Sequence, residues 1–362
     1  MKDKNIAILG TVGVPANYGG FETLAENLVK YHDAALLKSA LTVYCSSKSY
    51  PSKKATYLSA RVKYLPLNAN GAQSILYDIW SLLSAVWQRN DVILLLGVSG
   101  AIALPFVRLL SSARIVTNID GIEWRREKWQ GLAKRFLRFS EKIAVHFSHE
   151  LIADNGAIAE YVQQAYRANA HVIAYGGDHA KGVDAVPVDE LALPEKYSFS
   201  VCRIEPENNV HLVLEAFSAL KSHALVMVGN WHNSDYGRTL RNKYAACSNL
   251  FLLDPIYDLG KLKTLRSQAT HYVHGHSAGG TNPSLVEAMH FGKPVLAFDC
   301  NFNRSTTEDL AFFFKTSAVL VHLMQAMDES DAERVGRNML EIAQRRYTWH
   351  IVAQQYFGLL GA

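Results

Sequence analysis

Short runs of β-branched and leucine-rich residues alternate with longer stretches of helical periodicity, first at Asn5–Leu9, Leu41–Cys45, Val62–Leu65, Val92–Leu96, Arg114–Asn118 and Leu151–Ala153. Strands this short, separated by helical patterns, predict β-α-β units and therefore parallel sheets. After Gly176 and Gly177 the stretch from Asp178 to Pro194 has little periodicity and two prolines, as expected of a connector. The alternation then restarts at Tyr197–Cys202, Ala224–Val228, Leu250–Leu253, Tyr272–His274 and Pro294–Phe298. A chain of 362 residues exceeds the size at which one hydrophobic core stops growing, so two domains are expected. The fold class is α/β, with two Rossmann-like, doubly wound parallel-sheet domains. The expected boundaries are 1–177, a connector at 178–194, 195–345, and a C-terminal helix at 346–362 packing back on the first domain.

Composition narrows the class without choosing a function. Hydrophobic residues at 49% and charged residues at 19% are those of a folded globular chain. Cys45, Cys202, Cys247 and Cys300 are far apart and form no C-x-x-C pair, so neither a zinc site nor a disulfide framework is expected. A reducing, cytoplasmic compartment fits that usage. The N-terminal apolar run is too short for a signal-peptide core. The longest uncharged run, between Asp91 and Arg108, is broken by Gly97, Ser99, Gly100 and Pro105, which favours strand, loop and helix over a membrane span of roughly 20 apolar residues. Up to Gly177 the chain holds 20 Lys and Arg against 13 Asp and Glu, and the remainder is net acidic. No nucleic-acid motif accompanies the basic half, so an anionic membrane or a phosphorylated substrate is the partner it suggests, beside scattered solvated charge.

In open parallel sheets ligands bind at the carboxyl ends of strands. The first strand runs into Gly10-Thr-Val-Gly13-Val-Pro15-Ala-Asn17-Tyr18-Gly19-Gly20-Phe21-Glu22. Glycines before a helix let backbone N–H groups approach a phosphate, which makes Gly19 and Gly20 candidate ligands; a tight turn is the equally weighted alternative. The loop is neither G-x-G-x-x-G nor G-x-x-x-x-G-K-[ST], which argues against dehydrogenase and ATPase sites. A second loop, His274-Gly-His-Ser-Ala-Gly279-Gly280-Thr281-Asn282-Pro283-Ser-Leu-Val-Glu287, leads into a helix that Thr281 or Asn282 can cap and Pro283 can start. This again exposes backbone donors to an anion and makes Gly279, Gly280, Thr281 and Asn282 candidate nucleotide-sugar ligands. Glu287 falls one turn into that helix among apolar neighbours. A carboxylate there requires partners, and two vicinal ribose hydroxyls would serve.

The order of the glycine loop, Arg203-Ile-Glu-Pro-Glu207-Asn208-Asn209 and the Gly279–Glu287 loop resembles the family 4 glycosyltransferases of GT-B fold, whose two domains face a cleft. GTVGVPANYGGFET, NIDGIEWRREKW, RIEPENN and HSAGGTNPSLVEAM are similar to a bacterial rhamnosyltransferase-like subgroup of polysaccharide biosynthesis. The resemblance implies transfer of a sugar from a nucleotide-sugar to a saccharide acceptor, with retention. It implies that Glu287 is the ribose ligand, as the second glutamate of E-x7-E, and that Arg203 meets the donor diphosphate. Gly279 stands where the first glutamate of that motif is expected, and Asn208 where a lysine is, and at those positions both are candidate nucleotide-sugar contacts. These departures move the expected donor from UDP-glucose toward dTDP-L-rhamnose, with a UDP-sugar as the alternative. The subgroup also implies an acceptor linked to polyprenyl diphosphate at the inner face of the membrane.

Asp120, in Asn118-Ile-Asp120-Gly121, follows a strand and lies about where many family members carry a donor-contacting histidine. It is the candidate catalytic group, either orienting the acceptor hydroxyl or receiving its proton, with an Asx-turn as the alternative. Glu123, Arg125 and Arg126 carry no assigned role, and His146, His149 and His179 offer no ligand spacing. No Asp-x-Asp occurs, so no metal and no cofactor are expected, and the leaving diphosphate must be met by Arg203 and helix N-termini. Residues 127–147 form a basic amphipathic pattern, with Trp129, Leu132, Phe136, Ile143 and Phe147 at helical spacing and Lys128, Lys134, Arg135, Arg138 and Lys142 between them. Core packing with a solvated face is the first reading, and contact with anionic lipid the second. A nucleotide-sugar epimerase of the same architecture, or an inactive nucleotide-sugar-binding scaffold, remains as a competing function.

Overall fold

The computed structural model describes residues 3–16, 19–125 and 130–362. Asn17 and Tyr18 of the first glycine loop, and Arg126, Glu127, Lys128 and Trp129, lie outside the described residues. The chain forms two units, one of the first 175 residues with Trp349–Ala362, the other of Gly176–Thr348.

The first unit contains β1 (Asn5–Leu9), α1 (Gly20–Ala34), β2 (Ala40–Ser46), β3 (Thr56–Tyr57), β4 (Ala60–Leu65), α2 (Ser74–Trp87) and β5 (Val92–Leu96). It continues through α3 (Leu104–Leu110), β6 (Arg114–Asn118), α4 (Gly131–Phe147), β7 (Glu150–Ala153), α5 (Gly156–Tyr166) and β8 (His171–Val172). The sheet order is β3-β4-β2-β1-β5-β6-β7-β8, parallel except for β3. β1 and β5 sit centrally, and Val92 to Leu96 are all buried, which is why they read as an unbroken apolar run.

The second unit contains β9 (Tyr197–Val201), α6 (Val210–Ala219), β10 (Ala224–Val228), α7 (Asp235–Lys243), β11 (Leu250–Leu253), α8 (Leu259–Gln268) and β12 (His271–His274). After it come α9 (Pro283–Met289), β13 (Val295–Phe298), α10 (Asn301–Thr307), β14 (Phe312–Phe314), α11 (Ser317–Ala326) and α12 (Glu329–Arg346). Its sheet order is β11-β10-β9-β12-β13-β14. The core beneath it gathers Val213, Phe217, Met227, Trp231, Leu240, Leu296 and Phe314. The last helix, α13 (Trp349–Leu360), packs on α1 in the first unit.

Residues 178–194, expected as a connector, are built into the second unit. Lys263 Nζ donates to the Lys181 and Val183 carbonyls at 3.1 and 2.7 Å, and Thr264 Oγ1 donates to Val186 at 2.7 Å. The stretch lacks periodicity because its polar backbone is satisfied by α8 side chains rather than by a ladder.

Candidate functional site

In the second sheet the chain steps one way from β9 to β10 and the other way from β12 to β13. The crevice at the carboxyl ends of β9 and β12 is thus the switch point at which open parallel sheets build ligand sites. The Arg203–Asn209 loop leaves β9 and the Gly275–Asn282 loop leaves β12, and side chains lace them together. Asn208 is buried, donates from Nδ2 to the Arg203 carbonyl at 2.6 Å, and sets Oδ1 2.6 Å from His276 Nδ1. Ser277 N and Oγ both donate to the Glu207 carbonyl at 2.9 Å, and Asn209 Nδ2 to that of Gly275 at 2.9 Å. A β-carbon on Gly275 would run into the Asn208 carbonyl, so glycine is what lets the loops approach.

Several of the candidate ligands also hold the loops themselves together. Asn208 is a brace between the loops. Asn282 caps α9, its Oδ1 accepting from Ser284 N at 3.0 Å and Ser284 Oγ at 2.8 Å. Gly279 holds φ at +86°, and Gly280 and the buried Thr281 complete the turn into α9, which has only seven residues. Arg203 remains the accessible cation: its side chain is 46% exposed and its nearest carboxylate, Glu207, is 3.7 Å away.

Glu287 has protein partners that the sequence did not disclose. Its Oε2 accepts from Arg266 Nη2, and its Oε1 lies 3.3 Å from His179 Nε2. Arg266 comes from α8 and is 3% exposed, and among the described residues its Nε and Nη1 have no hydrogen-bond partner. Burial pushes the Glu287 carboxyl up, but Arg266 first and then His179 outweigh it and hold the group below its ordinary value. Two residues without any motif around them, Arg266 and His179, thus belong to the site. Only the buried carboxylate's need for partners signalled them. His274, at the end of β12, is buried and held neutral by burial, with His276 beside it reinforcing the effect.

In the first unit the glycine loop meets a carboxylate of the chain itself. Glu22, in the first turn of α1, accepts from Val12 N at 2.8 Å and Thr11 Oγ1 at 3.2 Å. A β-carbon on Gly19 would meet that carboxylate, and one on Gly20 would stand 3.4 Å from the Tyr175 hydroxyl. The loop and helix start therefore carry the protein's own anion. Asp120, after β6, holds φ at +60°, and its N–H donates to Asn118 Oδ1 at 2.9 Å. Asn118 in turn donates from Nδ2 to the Tyr356 hydroxyl of α13 at 2.6 Å. Burial, then Asp120 and Asp154, push the Tyr175 hydroxyl well up. A non-glycine residue in the left-handed region costs on the order of 1 kcal/mol or more and recurs at functional sites.

Beyond Asp120, Arg125, Lys134 and Arg138 stand 5.3, 5.8 and 5.2 Å from the Trp124 ring centre. Trp124 Nε1 donates to the buried Glu141 at 3.3 Å, which also accepts from Tyr161 and Tyr166 at 2.7 and 2.6 Å. His149 accepts from the Ile115 N–H at 2.8 Å and is structural.

Among solved structures the fold is similar to sucrose-phosphate synthase from Thermosynechococcus elongatus, with a TM-score of 0.81 at 17% identity over 98% of each chain. A glycosyltransferase from Rickettsia africae gives a TM-score of 0.75 at 11% identity, covering 99% of this chain and 98% of that one. Anabaena HepE in complex with UDP and glucose gives 0.70 at 16% identity over 99% of each chain. No curated protein sequence matches the chain. Residues 187–319 match the family described as glycosyl transferases group 1. Fold and domain content together define the class, a glycosyltransferase of GT-B architecture. More particularly, its N-terminal half, residues 3–178, matches the domain of unknown function DUF1972, followed by the group 1 glycosyltransferase domain.

Proposed function

We propose that the protein transfers a sugar, with L-rhamnose from dTDP-L-rhamnose favoured, to a saccharide carried on polyprenyl diphosphate, with retention, in bacterial surface polysaccharide synthesis. The observation that carries the donor reading is the convergence of Arg203 and the Glu287 helix on the β9/β12 switch point. A carboxylate offers about four lone-pair sites, so Glu287 can hold Arg266 and His179 and still accept from two ribose hydroxyls. Arg203 meets the diphosphate, whose charge grows as the anomeric C–O bond breaks. HepE, named in complex with UDP-glucose, supports a nucleotide-sugar of this kind. Gly279 supplies no carboxylate for sugar hydroxyls and Asn208 is committed to bracing, which favours a 6-deoxy sugar with fewer polar groups to satisfy. In the first unit Asp120 either orients the acceptor hydroxyl, whose proton then passes to the departing diphosphate oxygen, or receives that proton itself. The cations around Trp124 suit the acceptor's diphosphate. Incubating the protein with a panel of nucleotide-sugars and polyprenyl-diphosphate-linked saccharides, with products read by mass spectrometry, tests the reaction. Sugar transfer only from donors other than dTDP-L-rhamnose would overturn the donor, and donor epimerisation without acceptor would overturn transfer itself.

Two further outcomes are expected. Arg203→Ala should weaken binding of dTDP while leaving thymidine affinity unchanged, by roughly 1.5–3 kcal/mol for a lost charged hydrogen bond. Equal losses for both ligands in calorimetry would remove Arg203 from the phosphate. Activity should persist in EDTA, since among the described residues no group of three His, Cys, Asp or Glu side chains is placed to hold a metal ion. Complete loss that Mg²⁺ or Mn²⁺ restores would assign the diphosphate to a metal instead.

A further inference from the structure

Helix α2 is amphipathic the wrong way round. Tyr77, Asp78, Ser81, Leu82 and Ala85 are its buried side, while Leu76, Trp80, Leu83 and Trp87 recur at i, i+4, i+7 and i+11 and are 60%, 48%, 45% and 88% exposed. Burial lifts the Asp78 carboxyl to about 8, against a hydrogen bond from the Gly100 backbone, so even its buried acid is largely uncharged near neutral pH. An apolar stripe turned to water costs free energy unless something covers it.

The stripe continues onto neighbouring helices. The crossovers from β4 to β5, β5 to β6 and β6 to β7 all step the same way across the sheet, so right-handed connections put α2, α3 and α4 on one face and α1 on the other. α2 packs on α3, and α3 on α4. On α3, Phe106, Leu109 and Leu110 are exposed, and on α4, Leu132 and Phe139. Among the described residues, nine of the sixteen large exposed hydrophobic side chains thus fall on these three helices, which makes one patch rather than a scatter. Charge on the patch has one sign. The only carboxylates on the three helices, Asp78 and Glu141, are buried, whereas Arg108, Lys134, Arg135, Arg138 and Lys142 are exposed.

We infer that the outer face of α2, α3 and α4 is a bilayer-docking surface, its tryptophan, phenylalanine and leucine side chains entering the headgroup boundary of a membrane rich in anionic lipid while its arginines and lysines meet the phosphates. Apolar side chains below, cations around them and indoles between are the chemistry of an interfacial surface. No helix among the described residues is long and apolar enough to cross a membrane, so the attachment is lateral. A protein partner would need a complementary row of exposed acids and an apolar face of its own. The inference deepens the lipid-linked acceptor proposed above, because docking through this face would hold the first unit at the surface where such an acceptor lies.

Flotation of the full chain with phosphatidylcholine vesicles, with and without phosphatidylglycerol, tests it, no donor or acceptor being present. The unmodified protein is expected to float with the anionic vesicles, and Trp80→Ser with Trp87→Ser to lose roughly tenfold or more in apparent affinity at any salt. Arg135→Gln, Arg138→Gln and Lys142→Gln together should lose a comparable amount at low salt and little more at high salt. Leu109→Ser with Leu110→Ser on α3 provides an independent apolar variant should the tryptophan pair not fold. No flotation of the unmodified protein, equal flotation by all variants, or a dimer in light scattering that the apolar variants convert to monomer would overturn the inference, the last assigning the face to a second copy of the chain. Sugar transfer to the lipid-linked acceptor dispersed in detergent separates the two proposals. Transfer without flotation removes the docking surface alone, and flotation without such transfer removes the acceptor alone.

Discussion

Glu287→Ala is expected to lower both stability and nucleotide affinity, the stability loss being the larger effect. Truncating the carboxylate leaves Arg266, 3% exposed, without its one described counter-charge. Breaking one half of a buried pair costs roughly 3–5 kcal/mol, about 10 °C in melting temperature for a domain of this size. Nucleotide affinity should fall by roughly 1.5–3 kcal/mol for the lost ribose contacts. A second variant separates the effects: Arg266→Met with Glu287→Leu removes both charges, so stability should largely recover while dTDP and UDP affinity should not. Calorimetric affinity that recovers in the double variant would make Glu287 a structural carboxylate only. The pair also predicts an acid limb. Because the folded carboxyl lies below its ordinary value, its contribution is present above about pH 4.3 and lost as pH falls through the depressed value. The Leu-Met variant should lack that part of the acid dependence.

Asp120→Asn is expected to reduce turnover by roughly 10²–10⁴ if the carboxylate acts on the acceptor hydroxyl in the transition state, with donor affinity little changed. Asparagine is the right probe because Asp120 sits at φ +60°, a conformation asparagine tolerates about as well as aspartate. The turn with Asn118 is then preserved and only the charge is removed. Asp120→Ala would add backbone strain and confuse the result. Turnover close to the unmodified protein's would return Asp120 to a turn-forming role.

The strand alternation was legible wherever a strand is buried on both faces, because burial on both sides forces an unbroken apolar run. β1, β5, β6 and β10 begin and end where the sequence pattern places them, and so does the half-buried edge strand β11, whose four residues are three leucines and a phenylalanine. The very short edge strands β3, β8 and β14 were not legible. Each has two or three residues, and pairing with a neighbour rather than its own apolar content makes it a strand. The two loops of the second unit were legible for a related reason: glycine, proline and capping residues before an apolar helix are local chemistry, and the local chain expresses them. Their lacing was not, because Asn208 and His276 lie far apart in sequence and meet only when β9 and β12 become neighbours.

Sequence by itself determined that this chain builds two parallel sheets with chemistry in the loops after their strands, since periodicity and turn residues act within a few positions of one another. It also determined that a carboxylate at Glu287 must be partnered, because an apolar helix cannot bury one alone. Tertiary structure alone decided who the partners are. Arg266 and His179 reach Glu287 from a helix and from a segment that reads as a connector. It likewise decided that Glu22 fills the first glycine loop and that α2 turns tryptophan and leucine outward. Periodicity fixes which residues share a side of a helix, but only the sheet beneath decides which side is buried.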